Sequence, residues 1–153
     1  GVSAFVAPAR AAARAQARRG AMGVFLYHFT RVPPGVAGAK LGCYHAAELP
    51  YVFRTLPADS GAADLRLSDA MAAAWVRFAA TGDPNGEGLP EWPGYDAEGD
   101  RHMEFGDTIR AGQGLLAPAC DLFDGIGKRM RERSAPVVEE PDLEPVEGGA
   151  GAK

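Results

Sequence analysis

No acidic side chain occurs before Glu48 in this 153-residue chain, so no carboxylate precedes any catalytic group in that leading stretch. Cysteine is equally scarce. Cys43 and Cys120 stand too far apart for a zinc-pair motif, and His28, His45 and His102 show no ligand spacing, so no metal or other cofactor is implied. No apolar run reaches the length of a membrane span, and no leader pattern opens the sequence. Because the first residue is Gly1, the true N-terminus is expected upstream, and the absence of a leader says nothing about secretion. Aromatics are missing around the basic stripe Arg10, Arg14 and Arg18. With a formal net charge of −4, that stripe reads as a solvated helix face and not as a nucleic-acid contact.

What is present suits a packed domain, with 46% hydrophobic residues. Pro8 fits the first turn of a helix running to about Arg19, which Gly20 stops. The run Val24-Phe-Leu-Tyr-His-Phe29 is apolar almost throughout, the pattern of a strand buried on both faces of a parallel sheet. Arg101-His-Met-Glu-Phe105 alternates instead, predicting a half-exposed hairpin or edge strand. Ser68 reads as the N-cap of a helix ending at Gly82, with Met71, Trp75 and Phe78 on one side. A last helix spans about Leu115 to Arg133, its apolar face made by Leu115, Leu116, Ala119, Leu122, Phe123, Ile126 and Met130. Its cationic end, Lys128 to Arg133, complements the helix dipole. Residues 134–153 mix proline, glycine and acid without aromatics, the composition of a disordered tail.

This inventory is of the α/β class, but its sheet is incomplete. One central parallel strand needs neighbours on both sides, and only one other strand is evident. The missing strands are therefore expected upstream, leaving unpaired backbone and apolar surface on the chain by itself.

The segment Leu41-Gly-Cys-Tyr-His45-Ala-Ala-Glu-Leu-Pro-Tyr-Val-Phe53 carries the chemistry. Gly42 permits a tight turn ahead of His45, and Leu49, Tyr51, Val52 and Phe53 supply apolar contacts to pin a short helix behind it. An imidazole titrates near neutrality, so one presented from such a loop can take a proton from a hydroxyl and return it to a leaving group. A hydrogen-bonded core histidine is the plainer alternative. Glu48, three residues on, can share a helical face with His45.

The same segment resembles the histidine block of the type B carboxylesterases, the cholinesterase-like branch of the α/β-hydrolases. Phe5-Val-Ala-Pro-Ala-Arg10, Val24 to Phe29, Leu67 to Gly82, Asp83-Pro-Asn85, Glu91-Trp-Pro93 with Tyr95, and Cys120-Asp-Leu-Phe123 resemble successive family blocks in order. The resemblance implies that residues 1–133 are the C-terminal portion of an α/β-hydrolase fold: the last core strand, the histidine loop and the surrounding helices. It implies His45 as the base of a serine hydrolase triad and a carboxylic ester as substrate. In this fold serine, acid and histidine follow in that order, with the serine on a Gly-x-Ser-x-Gly elbow. Ser3 alone precedes His45, without the elbow, so the nucleophile and acid are expected in an upstream half of the same domain.

Glu48 is then expected as a support for the site, with plain helix-turn capping as its alternative. Tyr44 and the loop from Val32 to Lys40 are candidates to shape the pocket. Cys120 resembles a position that bonds an upstream cysteine in cholinesterases. That partner is absent here, and a Cys43 to Cys120 bridge stands only as an alternative to free thiols. Family members include secreted and cytoplasmic enzymes, so localisation stays open. Against the esterase stand a non-catalytic binding or adhesion module of the same architecture, and a truncated product with no activity of its own.

Overall fold

The computed structural model describes residues 2–20 and 23–134. The expected acidic tail lies outside the described residues apart from Ser134, which closes the last helix. A π-helical turn, Val2–Val6, leads into helix α1 (Ala7–Arg18), with Pro8 in its first turn. Gly20 follows at a φ of 74°, a conformation that glycine adopts without strain. Strand β1 (Tyr27–Phe29), the short helices α2 (Val36–Leu41) and α3 (Leu49–Val52), and the long helix α4 (Ala62–Thr81) come next. Strands β2 (Arg101–Phe105) and β3 (Ile109–Gln113) precede helix α5 (Ala117–Ser134).

The sheet order is β1-β2-β3, with β1 parallel to β2 and β2 antiparallel to β3. Tyr27, His28 and Phe29 stand opposite Met103, Glu104 and Phe105. The apolar run expected as a strand from Val24 is thus a ladder only at its end. Its earlier residues still contribute, since the Val24 and Leu26 carbonyls accept from the Tyr95 and Met103 amides at 2.7 and 2.9 Å.

Strand β2 forms a hairpin, one of the two alternatives its alternation allowed, and is central and not an edge, because Ile109–Gln113 returns beside it as a strand that the sequence pattern did not reveal. Met103 and Phe105 are fully buried there. They pack with Tyr51, Met71, Ala74 and Trp92, and with the partly buried Tyr27 and Trp75. The rings meet edge-on or tilted, as in Tyr27 on Trp75 at 5.0 Å and Trp92 on Phe105 at 5.3 Å.

Three further expectations are corrected. Ser68 is no N-cap: α4 begins at Ala62 after an extended Gly61, and the buried Ser68 hydroxyl donates to the Tyr51 carbonyl at 2.8 Å. Arg10 is no solvated residue. It is 3% exposed and donates to Asp100 and Asp121, each at 2.6 Å, tying α1 to the approach to β2 and to α5. The cysteines are free, Cys43 on the surface and Cys120 buried, so the bridge between them does not form. On α5 only Leu115, just before the helix, and Cys120 reach the interior, while Leu116, Leu122, Phe123, Ile126 and Met130 are exposed.

Candidate active site

The His45 loop is held from both ends. Ahead of His45, the Cys43 thiol donates to the carbonyl of Phe29, the last residue of β1, at 3.1 Å. Gly42 turns the chain there at a φ of 67°, as its position suggested. Behind the histidine, Tyr51 in α3 is wholly buried and its hydroxyl donates to Asp64 at 2.6 Å. Asp64 is gripped in turn by Arg31, whose Nε and Nη2 lie 2.9 and 3.1 Å from its two carboxylate oxygens. Arg31 reaches Asp107 as well, in the turn between β2 and β3, at 2.5 Å. Of the apolar residues expected to pin α3, Tyr51 anchors it and Val52 is partly buried, whereas Leu49 and Phe53 are largely exposed.

Charge in this clamp is well matched. The Arg31 guanidinium, more than any other group, holds the Asp64 carboxyl below the usual carboxylate range. Burial, together with the bond to Asp64, pushes the Tyr51 hydroxyl upward, so it remains a donor. Asp64 and Tyr51 are thus each pushed further from neutrality, which suits a scaffold.

His45 itself is exposed at the C-terminal end of β1. Among the described residues it makes no buried contact of the kind a core histidine would make. The residue after it, Ala46, has a φ of 69°, a left-handed conformation that costs a non-glycine residue about 1 kcal/mol. Among the described residues the group packed on the imidazole is Phe5, stacked with ring centroids 4.0 Å apart and planes 10° from parallel.

His45, Tyr44 and Glu48 line one cavity of about 300 Å³, together with Phe5, His28 and Phe29. A second cavity of about 550 Å³ adjoins it, sharing Phe5, His28, His45 and Glu48 and running along the side of β1 that has no strand partner among the described residues. Ala9, Ala13 and Gln16 of α1 form its far wall. The pocket candidates are thus brought together with one exception. Residues 32–40 line neither cavity, and part of that stretch is not a loop but α2, folded back so that Gly38 lies under the Pro33 carbonyl.

Glu48 begins α3 without a side-chain capping bond, so its carboxylate is not spent on the helix end. Its charge is felt at Cys43 and Tyr27. After burial, it is the next influence raising both groups. The Cys43 thiol therefore stays protonated and is no competing nucleophile. Burial lowers His28 despite the opposing charge of Glu104, so it enters the cavity as a neutral imidazole. Neither His28 nor Phe5 stood out as a site residue in the sequence, since each falls in a stretch explained by packing.

Among the described residues no cluster of three or more His, Cys, Asp or Glu side chains is placed to hold a metal ion. No described helix is long and apolar enough to cross a membrane. An imidazole, a carboxylate and two open cavities along the side of β1 that has no strand partner among the described residues are what the arrangement offers.

The sequence model of the Carboxylesterase family matches residues 1–123. The chain belongs to that family. Human cocaine esterase is 30% identical over 147 residues, covering 92% of this chain and 25% of its own length. Fumonisin B1 esterase of Sphingopyxis macrogoltabida is 34% identical over 100 residues, 58% of this chain and 18% of that protein. The crystal structure of the Geobacillus stearothermophilus carboxylesterase EST55 is similar at a TM-score of 0.58 and 33% identity, over 71% of this chain and 23% of the other. This member of the Carboxylesterase family therefore has a portion of the α/β-hydrolase fold, with a partial sheet. It spans about a quarter of the length of these relatives or less.

Proposed function

We propose that the complete protein hydrolyses carboxylic esters through an acyl-enzyme, and that this chain supplies the general base, His45. The observation carrying this is the exposed imidazole at the end of β1, on a loop clamped at Cys43 and Tyr51 and open to two cavities. A serine attacks the acyl carbonyl while His45 accepts its proton, and the same imidazole then returns that proton to the leaving alcohol. Water, deprotonated by His45, completes the second half of the cycle. Tyr44 borders the space the ester occupies. Glu48 supports the site by its charge, without serving as the triad acid.

The serine and the acid belong to an upstream half of the same domain, of which residues 1–133 are the C-terminal part. Two features support this reading: the unpartnered side of β1 and the quarter-length coverage of the relatives. The chain alone is then inactive. Reading the frame upstream of Gly1 tests the arrangement, with a Gly-x-Ser-x-Gly elbow expected and an elbow lacking its serine pointing to a binding module instead. In the complete enzyme, His45→Ala should lower kcat by about 10⁴-fold or more with the fold retained. Turnover close to the parent enzyme's would remove His45 from the mechanism. Glu48→Gln should cost far less.

A further inference from the structure

The proposed base has a ring packed flat against it, and that contact has a defined mechanical effect. Phe5 and His45 stack at 4.0 Å and 10°. Both imidazole nitrogens lie in the ring plane, so a stacked neighbour covers one face and leaves each nitrogen free for its own hydrogen bond. Rotation of the imidazole out of that plane is what the stack opposes. Tight loop anchors at Cys43 and Tyr51 fix the backbone on either side but touch neither nitrogen. The left-handed Ala46 fixes the direction in which the chain leaves the histidine, again without holding the ring.

We propose that Phe5 is a positioning residue: its ring, at the N-terminal approach to α1, sets the plane in which His45 meets its serine and acid. This rests on the reading of His45 as general base. Phe5 is suited to the task because α1 is itself locked, Arg10 joining it to Asp100 and Asp121. The aromatic ring is thus carried on a rigid support five residues away from a buried ion pair, and it reaches His45 from a different part of the chain. Phe5 is 46% exposed in this chain, so Phe5→Leu, which keeps an apolar side chain of similar reach, leaves the fold of these residues intact.

Two measurements test this. In the complete enzyme, the His45 ring-proton resonances should be shifted upfield by the Phe5 ring current and should return toward ordinary positions in Phe5→Leu. Unshifted resonances in the parent enzyme would overturn the proposal. In the complete enzyme, Phe5→Leu should lower kcat by about 10- to 100-fold with KM unchanged, the cost of a misdirected base. Phe5→Tyr, which keeps the aromatic face, should restore it. A loss confined to KM, or an equal loss in Phe5→Leu and Phe5→Tyr, would show that stacking does not position the base. If His45→Ala itself leaves turnover intact, the base reading and the proposal fall together. If His45→Ala abolishes turnover while Phe5→Leu leaves kcat unchanged, only the positioning role fails.

Discussion

The two sides of this molecule are built to different standards. On the side of α3, α4 and β2, Tyr51, Met71, Met103 and Phe105 are sealed from solvent, and the Tyr51 and Ser68 hydroxyls among them are hydrogen-bonded. On the side of α5 and the unpartnered edge of β1, apolar side chains stand in the open: Leu122 and Met130 are 59% and 65% exposed. The first side has a finished interior built by residues of this chain, although Phe53 and Val76 on its outer surface are 69% and 68% exposed. The second has the apolar content of an interior without, among the described residues, the neighbours that make one. His45 sits where the two meet, its loop anchored on the finished side and its imidazole facing the unfinished one. The proposed role of His45 needs that division, because a general base must have its backbone fixed while its nitrogens remain available to groups from elsewhere.

Substitutions can break or sharpen this contrast. The largest effect on stability is expected at Phe105→Ala, which opens a void in the sealed core and should cost about 3–5 kcal/mol in urea denaturation. Next comes Asp64→Ala, which strands the Tyr51 hydroxyl and the Arg31 guanidinium. About 2–4 kcal/mol is expected, read as a lowered midpoint. If Asp64→Ala were neutral, the clamp behind His45 would hold nothing.

Acid should act through the histidines. Burial lowers both His28 and His102, and for His102 the nearby charge of His28 adds to it. An unfolded chain then binds protons that the folded one resists, so stability should fall as pH drops below the ordinary histidine value of about 6.5. Stability curves between about pH 7 and 5 should be flatter for His102→Asn than for the parent chain. An equal slope would mean that His102 is not held neutral by its surroundings. The smallest effect is expected at Met130→Gln on the open face, within about 0.5 kcal/mol. A loss there comparable with Phe105→Ala would show that α5 is already packed and would erase the contrast.

How much of this could be read from the sequence follows from the range of the interactions involved. The helix stops at Gly20 and Gly82 and the turn at Gly42 are local facts of backbone geometry, and each was legible. The exposed turn that carries His45 was suggested by Gly42 and the residues after it, while its proposed role came from the family resemblance and not from the local pattern. Arg10 was misjudged since its acceptors lie 90 and 111 residues away, and the local pattern offers only a regular basic stripe. The start of α4 was missed for a related reason: Ser68 resembles a cap, yet its hydroxyl is taken by the Tyr51 carbonyl of a neighbouring helix. Strand β3, Ile109-Arg-Ala-Gly-Gln113, has little of the β-branched or aromatic character that announces a strand, and it is extended because β2 offers it a ladder. Phe5 joins the site through folding alone, forty residues upstream of the ring it covers.

The middle of β3 also constrains how this protein can change. Gly112 faces His102, and a methyl group added there would lie 2.8 Å from two atoms of the buried imidazole. Gly112→Ala therefore requires the His102 ring to move, and is eased once His102 has been replaced by a smaller residue. The two positions are coupled, so the cost of changing the glycine depends on whether the histidine has changed first.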